Sequence, residues 1–163
     1  MAVTVRLAQR DDSPDLANLI NAIIAQGGST AHTRNFTPER FFDHYISAET
    51  SISCRVAQDA TGRLIGFQSL GKSKELPGGW AEVGTFVALD AQRSGAGAAM
   101  FEHTAAAAKA HGVTTVKAAI RADNISGLGY YARLGFVHVN LDSEFALSDG
   151  TVVGQITKRF DLV

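Results

Sequence analysis

The chain has 163 residues, of which 45% are hydrophobic and 19% are charged, and its formal net charge is −1. This length fits a single domain, residues 1–163, with a sizeable core, and the composition is typical of a globular protein. Because lysine and arginine are scattered along the chain and form no basic run, the sequence argues against nucleic acid as a partner.

The sequence also bears on the compartment of the protein. No apolar run approaches the roughly 18 to 20 residues that a membrane-spanning helix needs, and the first residues lack the pattern of a signal peptide. Cys54 is the only cysteine, so no disulfide can form within the chain. We therefore expect a cytoplasmic protein that has no contact with a membrane.

The first half of the chain predicts a strand, two helices and three further strands. Residues 3–7 alternate as a strand does, and apolar residues recur at helical spacing over residues 16–24. Thr37 and Pro38 are typical of the start of a second helix. Three β-rich runs separated by turns, as in a meander, then follow at residues 52–57, 64–70 and 80–89.

The second half predicts a helix, a strand, a short helix and two strands. Residues 97–111 have helical periodicity, and Gly112 ends the helix. Residues 113–120 are apolar and β-branched, as in a buried strand. The last predicted elements are a helix at 124–134 and strands at 136–140 and 151–162. The pattern predicts one α+β domain with a central sheet and helices on both of its faces.

A turn with two glycines lies between the third meander strand and the long helix. Gly95 and Gly97 have no Cβ, so a ligand can approach the backbone closely. The N–H groups of residues 93–98 would have no acceptor in the first helical turn, and the helix dipole favours an anion there. The turn therefore predicts a site for a pyrophosphate.

Other uses of such a turn fit less well. A P-loop needs Gly-Lys-Ser/Thr, where this chain has Gly97-Ala98-Ala99. A dinucleotide fingerprint needs a small residue where Met100 stands and an acidic residue where Arg121 stands. For the turn alone, an ordinary glycine-containing loop before an alanine-rich helix remains an alternative.

Two motifs in the same order resemble the signatures of the GNAT superfamily of N-acetyltransferases. Gln92-x-x-Gly95-x-Gly97 is similar to the acyl-CoA turn of that family, Gln/Arg-x-x-Gly-x-Gly/Ala. The second signature, an Asn, then a Tyr, then Gly-Phe, is similar to Asn124, Tyr131 and residues 135–136. The order of elements agrees over nearly the whole chain.

The resemblance implies a fold and an activity. The fold would be a mixed, mostly antiparallel sheet of about seven strands with helices on both faces. The activity would be transfer of an acetyl group from acetyl-CoA to a primary amine of a small molecule, an amino acid or analogue, by direct attack in a ternary complex. Within the superfamily the chain looks closest to the phosphinothricin and small amino-acid N-acetyltransferase branch, and a homodimer is expected because it is common among relatives.

The resemblance also implies which residues contact the cofactor. The backbone near Val87 would pair with the pantetheine arm and supply the donor for the oxyanion. Asn124 and Ser126 would lie near the arm and the pyrophosphate, with helix capping as the alternative role for both. The implied cofactor-binding residues are Phe86, Val87, Ala88, Gln92, Arg93, Ser94, Gly95, Ala96, Gly97, Ala98, Asn124, Ser126 and Tyr131.

Tyr131 and Glu82 are the candidates for proton transfer. Tyr131 matches the general acid of the family in its spacing to Gly-Phe, and a phenol with a pKa of about 10 can protonate a thiolate whose thiol pKa is about 8.5. Its alternative role is aromatic packing. Glu82 stands in an apolar strand, where burial of the carboxylate would raise its pKa and make it a base. Alternatively, Glu82 faces solvent on the other side of the pleat.

Polar residues in the loop after the first predicted helix suggest a site for the acceptor. Thr30, His32 and Arg34 lie in the loop that forms the acceptor pocket in the resembling family, and a cation there could hold a carboxylate; surface charge is the alternative.

The five histidines have no metal-ligand spacing, so no metal site is expected. Cys54 lies in a predicted interior strand, which favours direct attack over a covalent acyl-enzyme. A non-catalytic acyl-CoA-binding sensor or interaction module remains the alternative function.

Overall fold

The computed structural model describes residues 2–163 and is built on a seven-stranded sheet of order β1-β2-β3-β4-β5-β7-β6. The strands are β1 (Thr4–Leu7), β2 (Ser51–Gln58), β3 (Leu64–Gly71), β4 (Trp80–Val87), β5 (Thr115–Arg121), β6 (Val137–Asp142) and β7 (Gln155–Asp161). All pairs of neighbouring strands are antiparallel except β4–β5, which is parallel. The mixed, mostly antiparallel sheet expected from the resemblance is confirmed.

Four helices cover the sheet. They are α1 (Ser13–Gln26), α2 (Pro38–Phe41), α3 (Ala96–Ala110) and α4 (Ile125–Leu134), with a π-helical turn (Phe42–Ile46) continuing α2. Thr37 caps α2 by accepting a hydrogen bond from the Arg40 N–H, as its sequence predicts. Among residues 2–163, no helix combines the length and the apolar character that crossing a bilayer requires.

The helices pack on both faces of the sheet. On one face, Phe67 of β3 contacts the rings of Phe41 and Tyr45, with centroids 4.9 and 5.1 Å away. Gly66, whose hydrogen points to the opposite face, leaves room for Met100 of α3, because a Cβ there would lie 3.2 Å from the Met100 Cε. We call these the α1/α2 face and the α3/α4 face; the predicted arrangement of helices is confirmed.

The sheet opens between β4 and β5. These strands pair only from Trp80–Thr115 to Val83–Ala118. Beyond that point β4 remains paired with β3 as far as Val87, whereas β5 remains paired with β7. The last residues of β4 and β5 therefore bound a gap in which the facing backbone groups are not paired with each other.

Candidate active site

A cleft of about 1680 Å³ lies at this gap. Its walls come from the loop after α1, the second half of β4, the glycine turn before α3 and the start of α4. The structure therefore brings most of the predicted site residues together: Thr30, His32, Glu82, Phe86, Val87, Gln92, Arg93, Ser94, Gly95, Ala96, Gly97, Ala98, Asn124, Ser126 and Tyr131 all line the cleft.

Ala88 and Arg34 lie outside the cleft. Ala88 is buried, and its N–H donates to the Ile65 carbonyl at 2.8 Å, so this amide extends the β3–β4 ladder and is not free for a ligand. Arg34 is exposed, and its carbonyl accepts a hydrogen bond from the Arg40 guanidinium at 3.3 Å. Neither placement fits the cofactor or substrate contact expected from the sequence.

The glycine turn presents free amide groups at the start of α3. Gly95 adopts the left-handed conformation, with φ 87°, and forms the N-cap of this 15-residue helix. The Ala96 N–H donates to Ser94 Oγ at 3.3 Å, but the N–H groups of Gly95, Gly97 and Ala98 form no hydrogen bond within residues 2–163. Unpaired amides at a helix N-terminus suit a phosphate group, so the turn has the chemistry that a pyrophosphate needs.

The two glycines of the turn have different surroundings. A Cβ on Gly95 would meet no atom within 4 Å, so its face is open to a ligand. A Cβ on Gly97 would lie 2.5 Å from Cε1 of Tyr130, whose hydroxyl donates to the Gly97 carbonyl at 2.8 Å. The Tyr130 ring therefore fills the space beside Gly97. Of the two glycines, only Gly95 leaves the open space that a ligand needs to approach the backbone.

Tyr131 is buried at the gap. Its hydroxyl lies 2.8 Å from Oγ1 of Thr85, a residue of β4 beyond the last pair with β5, and its ring packs edge-on to Phe136. Burial raises the pKa of the Tyr131 hydroxyl well above its usual value, while the hydrogen bond with Thr85 lowers it in part. The phenol therefore holds its proton at neutral pH and can act as a donor.

Glu82 lies across the sheet from Tyr131. Alternation along β4 places Glu82 on the α1/α2 face with Phe86, which stacks on Phe67, whereas Thr85 points to the α3/α4 face. The Glu82 side chain is 48% exposed, and its Oε1 lies 3.4 Å from Nζ of Lys117 on β5. The burial expected for Glu82 is therefore not observed, and the carboxylate is paired with a cation of the neighbouring strand at the surface.

His32 belongs to an aromatic cluster at the α1/α2 end of the cleft. Its Nε2 lies 2.7 Å from the Tyr45 hydroxyl, and its ring packs edge-on to Phe36. Burial, together with the smaller effects of positive charge on His44 and Arg40, lowers the pKa of His32 to about 4. His32 is therefore neutral near pH 7 and is a hydrogen-bonding group, not the cation considered from the sequence.

Asn124 caps α4 and ties it to the loop after α1. Its Oδ1 accepts from the Gly127 N–H at 3.0 Å, and its Nδ2 donates to the Ser29 carbonyl at 3.2 Å. Arg121 supports the same loop by donating to the Thr30 carbonyl at 3.1 Å. The capping role considered for Asn124 is thus observed, and the loop that carries Thr30 is fixed to the start of α4.

The structure also bears on a cysteine nucleophile and on metal binding. Burial raises the pKa of the Cys54 thiol to about 12, and this residue does not line the cleft, so it is a poor nucleophile for the site. Within the described residues 2–163, no three His, Cys, Asp or Glu side chains are grouped so as to hold a metal ion.

Three residues of the site were not predicted from the sequence. The Gln68 side-chain amide donates to Thr85 Oγ1 at 3.0 Å and to the Tyr130 hydroxyl at 3.1 Å. Gln68 is completely buried, and a glutamine inside the apolar run of β3 was the signal that could have identified it. Tyr130, the neighbour of Tyr131 on α4, reaches the glycine turn through its hydrogen bond to the Gly97 carbonyl.

The free amides at the start of α3, the gap between β4 and β5, and the buried Tyr131 hydroxyl suit a transferase that takes its acyl group from an acyl-CoA. Residues 19–136 match the Acetyltransferase (GNAT) family, and the chain belongs to that family. It is an N-acetyltransferase whose cosubstrate is acetyl-CoA.

Four known proteins are similar to this chain. The L-methionine sulfoximine/L-methionine sulfone acetyltransferases of Pseudomonas paraeruginosa and Pseudomonas aeruginosa are 28% identical over 144 residues, which cover 83% of this chain and 81% of theirs. A phosphinothricin acetyltransferase from Sinorhizobium meliloti, solved in complex with acetyl-CoA, has a TM-score of 0.86 at 18% identity and 99% and 89% coverage. An N-acetyltransferase from Staphylococcus aureus has a TM-score of 0.87 at 18% identity, and the match covers both chains completely.

Proposed function

We propose that this protein acetylates the primary amine of a small amino acid or amino-acid analogue by direct attack in a ternary complex. The observation that carries the proposal is that the gap in the sheet joins two different sites. Free amides and Tyr131 lie toward the α3/α4 face, and the neutral His32 cluster and Glu82 lie toward the α1/α2 face. The substrates named for the Pseudomonas relatives and for the Sinorhizobium enzyme support this class of acceptor.

Acetyl-CoA would be held mainly by backbone groups. The amides of Gly95, Gly97 and Ala98 would bind the pyrophosphate, with residues 92–96 shaping the turn around it. The edge of β4 that β5 leaves unpaired, at Phe86 and Val87, would bind the pantetheine arm as an added strand. Ser126, exposed in the first turn of α4, would lie beside the phosphates. A backbone N–H near Val87 would stabilise the oxyanion.

Tyr131 would supply the proton that the leaving group needs. The amine nitrogen attacks the thioester carbonyl carbon, the carbon–sulfur bond breaks, and the sulfur takes the phenolic proton. The nitrogen loses its proton to Glu82, directly or through water. Because Glu82 and Tyr131 belong to opposite faces of the sheet, the amine gives its proton to Glu82 on one side and the thiolate takes a different proton, that of Tyr131, on the other.

A turnover assay tests the function directly. The purified protein is incubated with acetyl-CoA and a panel of amines that contains L-methionine sulfoximine, L-methionine sulfone, phosphinothricin and the common amino acids. Release of free thiol is followed with each amine. We expect turnover with amino-acid analogues; tight acetyl-CoA binding without thiol release across the panel would favour the non-catalytic sensor instead.

The glycine turn is tested by a charge placed at its open face. Gly95→Glu adds bulk and a negative charge beside the free amides, so we expect acetyl-CoA binding in titration calorimetry to be lost. Gly62→Glu is the matched control, because Gly62 has the same φ of 87° and also has no neighbouring atom within 4 Å of its Cβ position. Binding retained by Gly95→Glu would refute the placement of the pyrophosphate.

The acid role of Tyr131 is tested by removing its hydroxyl. Tyr131→Phe keeps the buried ring but loses the proton, so kcat should fall about 10²- to 10⁴-fold while acetyl-CoA affinity stays within about twofold. Steady-state kinetics and calorimetry measure the two quantities. A collapse of affinity without a loss of kcat would assign Tyr131 to packing.

We also propose that the protein forms a homodimer through β6. This strand is the last in the sheet, so one of its edges has no partner strand within the described residues. Val137, Val139 and Leu141 of this strand are 58%, 44% and 53% exposed. A free strand edge with exposed apolar side chains is a surface that a second copy of the chain can cover.

A further inference from the structure

A chain of four hydrogen bonds connects the glycine turn with Tyr131. The Gly97 carbonyl lies 2.8 Å from the Tyr130 hydroxyl, which lies 3.1 Å from Nε2 of Gln68. The same Nε2 lies 3.0 Å from Thr85 Oγ1, and this oxygen lies 2.8 Å from the Tyr131 hydroxyl. All four side chains are buried or partly buried, and the direction of the first three hydrogen bonds follows from the chemistry of the groups that make them.

The carbonyl of Gly97 fixes the orientation of Gln68. A carbonyl oxygen can only accept, so Tyr130 must give its single hydroxyl proton to Gly97. The group of Gln68 that faces Tyr130 must then be a donor, which is the amide nitrogen and not the amide oxygen. The second proton of that nitrogen is directed at Thr85 Oγ1. Because Gln68 is completely buried, water cannot replace either bond at low cost.

Thr85 connects this network to Tyr131. Thr85 accepts from Gln68, and its Oγ1 lies 2.8 Å from the Tyr131 hydroxyl, where the geometry allows either oxygen to be the donor. A phenolic proton given to Thr85 would be held inside the network, whereas a proton donated by Thr85 to Tyr131 leaves the phenolic proton free to point into the cleft that both residues line. Only the second arrangement lets Tyr131 act as the acid of the proposed function.

We propose that Gln68 and Thr85 are positioning residues that direct the phenolic proton of Tyr131 at the leaving sulfur. The inference rests on the proposed function, in which Tyr131 is the acid. During the transfer the Tyr131 O–H bond breaks and the S–H bond forms. The phenolate that results accepts the hydrogen bond from Thr85 and is stabilised by it, and it regains a proton from water before the next turnover.

Substitution of Thr85 separates the hydroxyl from the shape of the side chain. Thr85→Val keeps the β-branched shape and removes the donor, so we expect kcat to fall about 10- to 100-fold with the KM for acetyl-CoA within about twofold. Thr85→Ser restores the hydroxyl and should recover most of the wild-type kcat. Gln68→Met removes both amide donors and should lower kcat in the same direction; wild-type kcat in this variant would remove Gln68 from the proposal.

A double substitution shows whether Thr85 acts through Tyr131. In a Tyr131→Phe background, Thr85→Val should have no further effect on kcat, because the proton that Thr85 directs is already gone. Loss of kcat by the same factor in both backgrounds would overturn the proposal and assign Thr85 to packing.

A spectroscopic measurement keeps this inference separate from the assay of function. In protein labelled with ¹³Cζ-tyrosine, the three tyrosines are assigned by Tyr→Phe variants. We expect the Tyr131 resonance to shift in Thr85→Val and to return in Thr85→Ser. An unchanged resonance would overturn the inference even if the enzyme is active. Absence of turnover in the wild-type protein, with the shift present, would refute the proposed function and leave the hydrogen bond between Thr85 and Tyr131 standing.

Discussion

Gly95 and Gly97 stand two residues apart in one turn, but they are needed for different physical reasons. Gly95 has a φ of 87°, a conformation that costs other residues strain, and the space around its Cβ position is empty. Gly97 lies in the first turn of α3 and is limited only by the ring of Tyr130. One residue therefore serves the backbone conformation and the other serves side-chain packing.

We predict that alanine at the two positions has separable effects on stability. Gly97→Ala should cost about 1–3 kcal/mol, because its Cβ overlaps Tyr130. Gly95→Ala should cost about 1 kcal/mol from backbone strain alone. Urea unfolding measures both. In a Tyr130→Leu background the cost of Gly97→Ala should fall; an equal cost in both backgrounds would contradict the role of the Tyr130 contact.

At the scale of elements, Asn124 connects α4 with the loop that follows α1. Its oxygen and its nitrogen have different partners, the Gly127 N–H and the Ser29 carbonyl. A single side chain thus both begins a helix and holds one wall of the cleft in place.

Two substitutions of Asn124 should separate these tasks. Asn124→Ala loses both contacts and should lower the free energy of unfolding by about 1 kcal/mol. Asn124→Asp retains an oxygen for the Gly127 N–H but loses the donor to Ser29, so most of the stability should be kept. Hydrogen exchange of residues 27–30 should become faster in both variants. Unchanged exchange would mean that other contacts, such as that of Arg121 with Thr30, hold the loop.

The cluster of His32, Tyr45 and Phe36 joins the same loop to α2 and makes stability depend on pH. His32 has a pKa of about 4 in the folded protein, below the ordinary value of 6.5. Between these values the unfolded chain binds the proton and the folded chain does not, so stability falls as the pH drops from about 6.5 to about 4. His44, whose pKa burial also lowers, acts in the same direction.

We predict that His32→Gln reduces this loss of stability. Urea midpoints measured from pH 7 to pH 4 should fall less steeply in the variant than in the wild-type protein, because one group that titrates only in the unfolded state is absent. An identical slope in both proteins would show that His32 is accessible to protons in the folded state.

At the scale of the whole molecule, the two edges of the sheet offer a matched test of assembly. Val139→Asp places a charge on the proposed β6 interface and should convert the dimer to a monomer in analytical ultracentrifugation. Leu7→Asp is the control, because Leu7 lies on β1 at the opposite edge of the sheet and is 53% exposed, comparable to the 44% of Val139. A wild-type protein that sediments as a monomer would refute the proposed homodimer.

The sequence predicted the order of elements and the location of the cleft because both depend on local patterns. The apolar periodicity of α1 and the glycines before α3 are signals of that kind. The surroundings of Glu82 could not be predicted, because Lys117 meets it across a parallel pair of strands that are distant in the chain. The same is true of Gln68 on β3 and Tyr130 on α4, which are distant in the chain and form a hydrogen bond only in the folded protein, where Tyr130 also contacts the glycine turn.

The gap between β4 and β5 has a consequence for regulation in the cell. If the open part of the sheet binds the pantetheine arm and the phosphates, it binds the parts that free coenzyme A still has after the acetyl group has been transferred. Free coenzyme A should then compete with its acetylated form, as product inhibition, at comparable concentrations. The rate of acetylation would then depend on the ratio of acetyl-CoA to free coenzyme A more closely than on the concentration of either form. This ratio reflects the supply of activated acetate.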